Sequence, residues 1–235
     1  IFNVLNDHFD LNLNEAKFFA GHSLGEYTAL VCSGSLTIKR AVYLLHERGK
    51  AMQESVPEGQ GAMTAVLGMT MNEVEKEISL IRKEGTCEIA NDNSDGQVVV
   101  SGTKKIIDLL NENLKKKNKR GIILPVSAPF HSSLMKKASE SMKEKINDSD
   151  FLTPKPSIIS NVTAREENNV NDIKSLLVEQ ITSRVRWRES VNYMLNKGVK
   201  DFIEIGPGKV LSGLVKKINK NVKTSNINYI EDINK

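Results

Sequence analysis

Apolar residues fall into two kinds of stretch along this chain: short unbroken runs, and longer segments in which they recur every three or four positions. The first kind predicts buried strands and the second amphipathic helices. Val4–Phe9 reads as the end of a helix and Lys17–Ala20 as a buried strand. Leu24–Cys32 follows as a helix offering Leu24, Tyr27, Ala29, Leu30 and Val31 to a core. Thr37–Ala51 is a second helix, with Ile38, Val42, Leu45 and Met52 at helical spacing. The run Pro57-Glu58-Gly59-Gln60-Gly61 then interrupts the pattern.

A βαββαβ order comes next. Ala62–Leu67 predicts a strand, Asn72–Lys83 a helix, and Cys87–Asn91 and Gln97–Val100 two strands around a turn at Asp92-Asn93-Ser94-Asp95-Gly96. Thr103–Lys117 is a helix with Thr103 as its N-cap, and Ile122–Leu124 a closing strand. That order is a ferredoxin-like unit. Beyond it the pattern gives helices at Ser133–Ile146, Asn171–Thr182, Trp187–Lys197 and Val210–Ile218, with strands at Ser157–Ser160, Phe202–Ile205 and near Asn226–Ile230. Alternating strands and helices predict a mainly parallel sheet covered on both faces. The fold class is therefore α/β: a large domain from residues 1–60 and 127–235, with residues 61–126 inserted as a small ferredoxin-like domain.

The chain has 235 residues, 39% hydrophobic and 26% charged, which suits a soluble globular protein with a sizeable core. No apolar run approaches the length that spans a bilayer, and no signal peptide is visible, so no membrane partner is expected. Cys32 and Cys87 stand in apolar surroundings without paired spacing, which fits free thiols in a reducing compartment. The net charge is +4, with a cluster at Lys115-Lys116-Lys117-Asn118-Lys119-Arg120. Aromatic residues make up only 5% of the chain and none interleaves the cluster, so nucleic acid is not an expected partner. The cluster fits a solvated helix end, or a landing surface for an acidic protein.

Candidate chemistry concentrates at Gly21-His22-Ser23-Leu24-Gly25, which lies between the first predicted strand and its helix. This is the layout of a nucleophile elbow, a strained strand–turn–helix that exposes a serine hydroxyl. The two glycines are expected to leave room that a Cβ would fill. The Leu24 N–H is placed to donate to an oxyanion at the start of the helix. Chance alone puts the pentapeptide in roughly one chain in ten of this length, so the general base has to be found. There are four histidines. His8 lies in a frayed first helix, His46 sits inside the second helix, and His22 adjoins Ser23 and points away from it. His131 remains, in Pro125-Val126-Ser127-Ala128-Pro129-Phe130-His131, where two prolines postpone a helix start. Arg48, late in the second helix, reads either as a surface residue or as a fork for a substrate carboxylate. Gly206-Pro207-Gly208-Lys209 lacks the spacing of a phosphate loop and reads as a turn into a helix near the pocket.

Four blocks together resemble the malonyl-CoA:acyl-carrier-protein transacylase family of type II fatty acid synthesis: Gly21–Tyr27, Arg48–Gln53, Pro125–His131 and Ile205–Leu211. The resemblance implies an α/β-hydrolase-like large domain with a ferredoxin-like insert. It implies malonyl transfer from coenzyme A to the phosphopantetheine thiol of acyl carrier protein, through a malonyl ester on Ser23 with His131 as base. Leu24 N–H becomes one oxyanion donor and Arg48 the clamp for the malonyl carboxylate. Gln180 falls where the family holds the histidine or lines the site. Phe130, His22, Asn91 and Asn93 fall among the substrate-binding positions, Phe130 matching the malonyl-selective pattern. No cofactor and no metal are implied, since malonyl-CoA is a substrate. A monomer is expected, in a bacterial cytoplasm or in a plastid or mitochondrial matrix after removal of a transit peptide. The family's first strand and its Gly-Gln-Gly-Ser-Gln turn, source of a second oxyanion amide, are not found in this sequence. Asp95 replaces a common proline, which should loosen the turn slightly. Lys115–Arg120, or Lys136 and Lys137, are candidates for guiding the carrier. The rival readings are a serine hydrolase or thioesterase, and a carrier-binding module without catalysis.

Overall fold

The first strand is only two residues long, yet it fixes the site because an abrupt turn follows it. The structure, a computed structural model, describes residues 1–9 and 12–233; the expected domain end at residue 235 lies outside them. In chain order, α1 (Phe2–His8) leads through a 3-10 turn to β1 (Phe19–Ala20), α2 (Leu24–Cys32) and α3 (Ile38–Glu54). Then come β2 (Gly61–Leu67), α4 (Met71–Ile81), β3 (Cys87–Ser94), β4 (Gln97–Thr103), α5 (Lys104–Lys116) and β5 (Arg120–Ile123). The remainder is α6 (Lys136–Asn147), β6 (Ile158–Ile159), β7 (Glu166–Glu167), α7 (Val170–Gln180), α8 (Trp187–Asn196), β8 (Asp201–Ile205), α9 (Val210–Ile218) and β9 (Lys223–Ile227).

The helix α3 begins where Thr37 caps it, its side chain accepting from the Arg40 N–H at 3.2 Å. Its buried face differs from the one expected. Ala41, Leu44, Arg48 and Met52 point inward, while Ile38 and Val42 are exposed. A stripe at 41, 44, 48 and 52 has helical spacing only if an arginine counts among the buried positions. Likewise Leu24, at the start of α2, is exposed, whereas Tyr27 and Leu30 are fully buried. Each such large apolar side chain contributes about 1.5–3 kcal/mol by leaving water. Around them Met135, Met142, Ile146, Ile158 and Leu177 complete a core between α2, α3, α6 and α7.

Residues 61–123 form a four-stranded antiparallel sheet in the order β3-β4-β2-β5. One face is covered by α4 and α5 through Val74, Ile78, Ile106, Leu110 and Leu114. The opposite face packs Met63, Ala90 and Val99 against Phe130. Thr103 occupies the N-cap position of α5, but its side chain makes no capping bond. The turn after β3 is shorter than expected. Register shifts at Ile89/Asn91 and Asp92/Ser94 carry the strand on to Ser94, so that Asp92, Asn93 and Ser94 are buried strand residues. Two backbone bonds tie β3 to the rest of the chain, Asp92 N–H to Val185 O at 3.0 Å and Val185 N–H to Ala90 O at 2.8 Å. Arg188 adds a fork onto the buried Asp92 carboxylate, at 2.8–3.1 Å.

The expected single parallel sheet is in two pieces. β1 pairs in parallel with β6, which pairs antiparallel with β7; β8 pairs in parallel with β9. Between β1 and β8 lies a largely apolar cavity of about 460 Å³, lined by Phe2, Leu13, Phe19, Ile203 and Ile205 among others. No helix among the described residues is long and apolar enough to cross a membrane.

Candidate active site

After Ala20 the backbone turns sharply and α2 begins at Leu24. Gly21 is indispensable here: a Cβ would stand 2.0 Å from the carbonyl group of Gly25 and 2.6 Å from the Glu26 nitrogen. Gly25, by contrast, has open space where a Cβ would go, so only the first glycine of the pair is sterically required. Ser23 itself sits at φ +52°, ψ −107°, a conformation that costs on the order of 1–3 kcal/mol and persists only where its surroundings impose it. Asn161 supplies that constraint. It lies just after β6, the parallel neighbour of β1; its Oδ1 accepts from the Ser23 N–H at 2.6 Å and its Nδ2 donates to Gly21 O at 2.7 Å.

His131 is buried, at φ +56°, and its Nε2 lies 2.7 Å from Ser23 Oγ across 108 residues of chain. Its Nδ1 is 2.9 Å from the backbone carbonyl of Gln180. A carbonyl can only accept, so Nδ1 carries the proton and Nε2 presents a lone pair to the serine hydroxyl. The imidazole is thus oriented by a main-chain oxygen and not by a carboxylate. Burial, reinforced by the Arg48 charge, pulls the His131 pKa down to about 3. The neutral, proton-accepting form therefore persists far below pH 6.5. Acylation of Ser23 is expected to show no inflection near that value, kcat/KM staying flat from about pH 8 to about pH 5. A pH profile of the acylation rate checks this, and a fall centred on 6.5 contradicts it. The same shift makes acid destabilising, since below pH 6.5 the unfolded chain binds a proton that the folded site refuses.

Arg48 reaches the serine from α3. Its guanidinium is 6% exposed, and Nη2 donates to Ser23 Oγ and to Gln180 Oε1, both at 3.1 Å. Its Nε is buried without a partner, and no carboxylate of the described residues lies within ion-pair distance of it. Burial lowers its pKa from the usual value, with Tyr27 and Glu26 acting against that shift. A buried guanidinium without an anion beside a nucleophile is matched by a substrate that brings its own carboxylate. Gln180, at the end of α7, is fully buried; its Nε2 bonds Glu26 Oε2 at 2.7 Å and Ser23 O at 3.2 Å.

The remaining sequence candidates are placed as follows. His22 donates from Nε2 to Asn93 Oδ1 at 2.8 Å, and its ring lies 5.6 Å from that of Trp187. Burial lowers its pKa. Asn91 is buried and bridges to Val185. Phe130 packs between the main core and the face of the four-stranded sheet. The amides of Gly25 and Glu26 turn back to the carbonyls of His22 and Ser23, while that of Leu24 makes no bond among the described residues. The start of α9 after Gly206-Pro207-Gly208-Lys209 is occupied: Glu204 accepts from the amides of Leu211 and Ser212 at 3.0 and 2.7 Å. Among the described residues no group of three or more His, Cys, Asp or Glu is arranged to hold a metal. Glu26, Asn161 and Trp187 were not expected. Glu26 is inside the elbow block, and Asn161 follows a strand parallel to the one before Ser23, so both stood where strand ends converge on a site.

A serine on a strained strand–helix turn, a buried imidazole in hydrogen-bond reach of its hydroxyl and a buried guanidinium beside it match the layout of an acyl-transferring enzyme. The chain belongs to the acyl transferase domain family, whose profile matches residues 14–231. It is 48% identical over 218 residues to the malonyl CoA-acyl carrier protein transacylase of Bacillus subtilis (strain 168), covering 92% of this chain and 69% of that protein. The protein of the same description in Staphylococcus aureus (strain MRSA252) is 44% identical over 224 residues, 94% of this chain and 72% of that one. Among solved structures, the acyl-carrier-protein-S-malonyltransferase of Bartonella henselae superimposes with a TM-score of 0.95 at 41% identity, covering 99% of this chain and 74% of that chain. A malonyl-transacylase in complex with a type II PKS acyl-carrier protein gives a TM-score of 0.94 at 34% identity, covering 99% and 74%.

Proposed function

We propose that this chain transfers a malonyl group from malonyl-CoA to the phosphopantetheine thiol of an acyl carrier protein, for fatty acid synthesis, in two half-reactions on Ser23. The observation that carries the reading is the buried Arg48 guanidinium, bonded to the nucleophile and lacking an anion of its own. His131 Nε2 takes the hydroxyl proton as Ser23 Oγ attacks the thioester carbonyl. The tetrahedral oxyanion points to the Leu24 N–H, near the positive end of α2. Collapse breaks the carbon–sulfur bond, and the imidazolium returns its proton to the coenzyme A thiolate. The carrier's thiol then attacks the malonyl-serine ester, giving its proton to His131 and restoring the serine. Arg48 holds the free carboxylate through both halves and disfavours uncharged acyl groups, which leave its charge unpaired.

The relatives' descriptions and the carrier-bound neighbour support both substrates. The segregation of sheets supports a catalytic body of residues 1–60 and 127–235, α/β-hydrolase-like, with a ferredoxin-like insert at 61–126. No cofactor enters the scheme. Lys136 and Lys137 open α6 a few residues after His131, where positive charge opposes the helix dipole. They and the cluster at 115–120 are equal candidates to meet an acidic carrier, since Lys136 is paired with Glu140 as Lys117 is with Glu77.

Mass spectrometry after mixing with malonyl-CoA tests the scheme. The expected result is a malonyl adduct on Ser23 that survives in water and is discharged on adding the phosphopantetheinylated carrier. An adduct lost to water before the carrier arrives identifies a hydrolase instead.

A further inference from the structure

Glu26 lies in the first turn of α2, three residues after the nucleophile, and is 1% exposed. A carboxyl group is rarely that deep without a cation beside it, and none of the described residues lies within ion-pair distance of it. Two donors converge on one of its oxygens instead. Oε2 accepts from Gln180 Nε2 at 2.7 Å and from the Asn161 N–H at 3.1 Å. The first contact, the shorter of two that Gln180 Nε2 makes (the other is to Ser23 O at 3.2 Å), sets which way round the Gln180 amide stands. With Nε2 held by Glu26, Oε1 faces Arg48 Nη2 at 3.1 Å. The reversed amide would set NH₂ against guanidinium, donor against donor. Arg48 Nη2 then loses one of its two acceptors and is held by Ser23 Oγ alone.

We infer that Glu26 is a positioning residue: its Oε2 locks the Gln180 side-chain amide in the orientation that holds Arg48 against Ser23, and so sets the preference for acyl groups bearing a carboxylate. The inference rests on the reading of Arg48 given above. Glu26 acts as an acceptor and not as a charge. Burial pushes its carboxyl up to about 7; Arg48 acts to lower it and Glu167 to raise it, while Gln180 and Asn161 are the neutral groups facing it. With a proton on its other oxygen, Oε2 still accepts.

Two conservative variants separate acceptor from charge. Glu26→Gln keeps an acceptor oxygen at the same reach and loses the charge; Glu26→Asp keeps the charge and withdraws the oxygen by one methylene. The measurements are kcat/KM for malonyl-CoA and acetyl-CoA, and the side-chain amide resonances of Gln180. Glu26→Gln is expected to keep the malonyl-to-acetyl ratio within about threefold of the parent, and Glu26→Asp to lower it at least about tenfold, the scale of one buried hydrogen bond. The Gln180 amide protons stay protected from exchange in Glu26→Gln and lose that protection in Glu26→Asp. A ratio retained in Glu26→Asp, a ratio lost in Glu26→Gln, or an equal loss for both acyl groups overturns the inference. Should the parent itself show no preference for malonyl, the reading of Arg48 fails, and the Gln180 resonances still decide the role of Glu26.

Discussion

Ser23→Ala is expected to lower kcat for malonyl transfer by a factor on the order of 10⁶, while the protein stays folded. In the proposed scheme the hydroxyl forms the bond to the acyl carbon, and among the described residues no other nucleophile is hydrogen-bonded to His131 Nε2. His131→Ala is expected to cost nearly as much, because an undeprotonated serine barely attacks a thioester. The two losses do not add: the double variant should be no slower than the worse single one, since each residue works only through the other. Stopped-flow release of coenzyme A measures all three. An additive double variant would mean that the two residues act independently, and the dyad would have to be abandoned.

Arg48→Ala has the second largest effect, and it falls on one substrate. Removing one partner of a buried hydrogen-bonded charge pair costs about 2–5 kcal/mol, or roughly 30- to 4000-fold. That loss is expected in kcat/KM for malonyl-CoA. Acetyl-CoA brings no carboxylate, so it gains from the variant if anything, because the cost of leaving a buried guanidinium unpaired disappears. Arg48→Lys should recover little, because an ammonium cannot make the parallel pair of bonds to a carboxylate. Competition between the two thioesters reads the preference directly, and an unchanged ratio in Arg48→Ala rejects the clamp.

Much of this site was legible before the structure, and the reasons for the exceptions are physical. The elbow announces itself because Gly21 has no substitute next to the first turn of α2, and that helix spans the residues its pattern predicts. His131 emerges by elimination, since few histidines compete. On α3 the spacing places Met52 and Leu45 against the core but not Ile38 and Val42, because hydrophobic spacing gives no weight to a buried arginine; once Arg48 is counted, Ala41 and Leu44 fall into line and Ile38 and Val42 turn outward. Asp92-Asn93-Ser94 resembles a loop in composition, yet Asp92 meets Arg188, Asn93 meets His22, and bulges carry the strand on to Ser94. Alternating strands and helices predict one sheet, and nothing in their spacing reveals that β1 and β8 belong to separate ladders.

The seam between β3 and residue 185 bears on how substrate arrives. Swinging the four-stranded unit away from Ser23 would break two main-chain bonds and strand Asp92 opposite an empty place, a penalty on the order of 5 kcal/mol. Less than about one molecule in a thousand pays that at any moment. The four-stranded unit is accordingly latched to the rest of the chain, and substrate is expected to meet Ser23 without a hinge opening first.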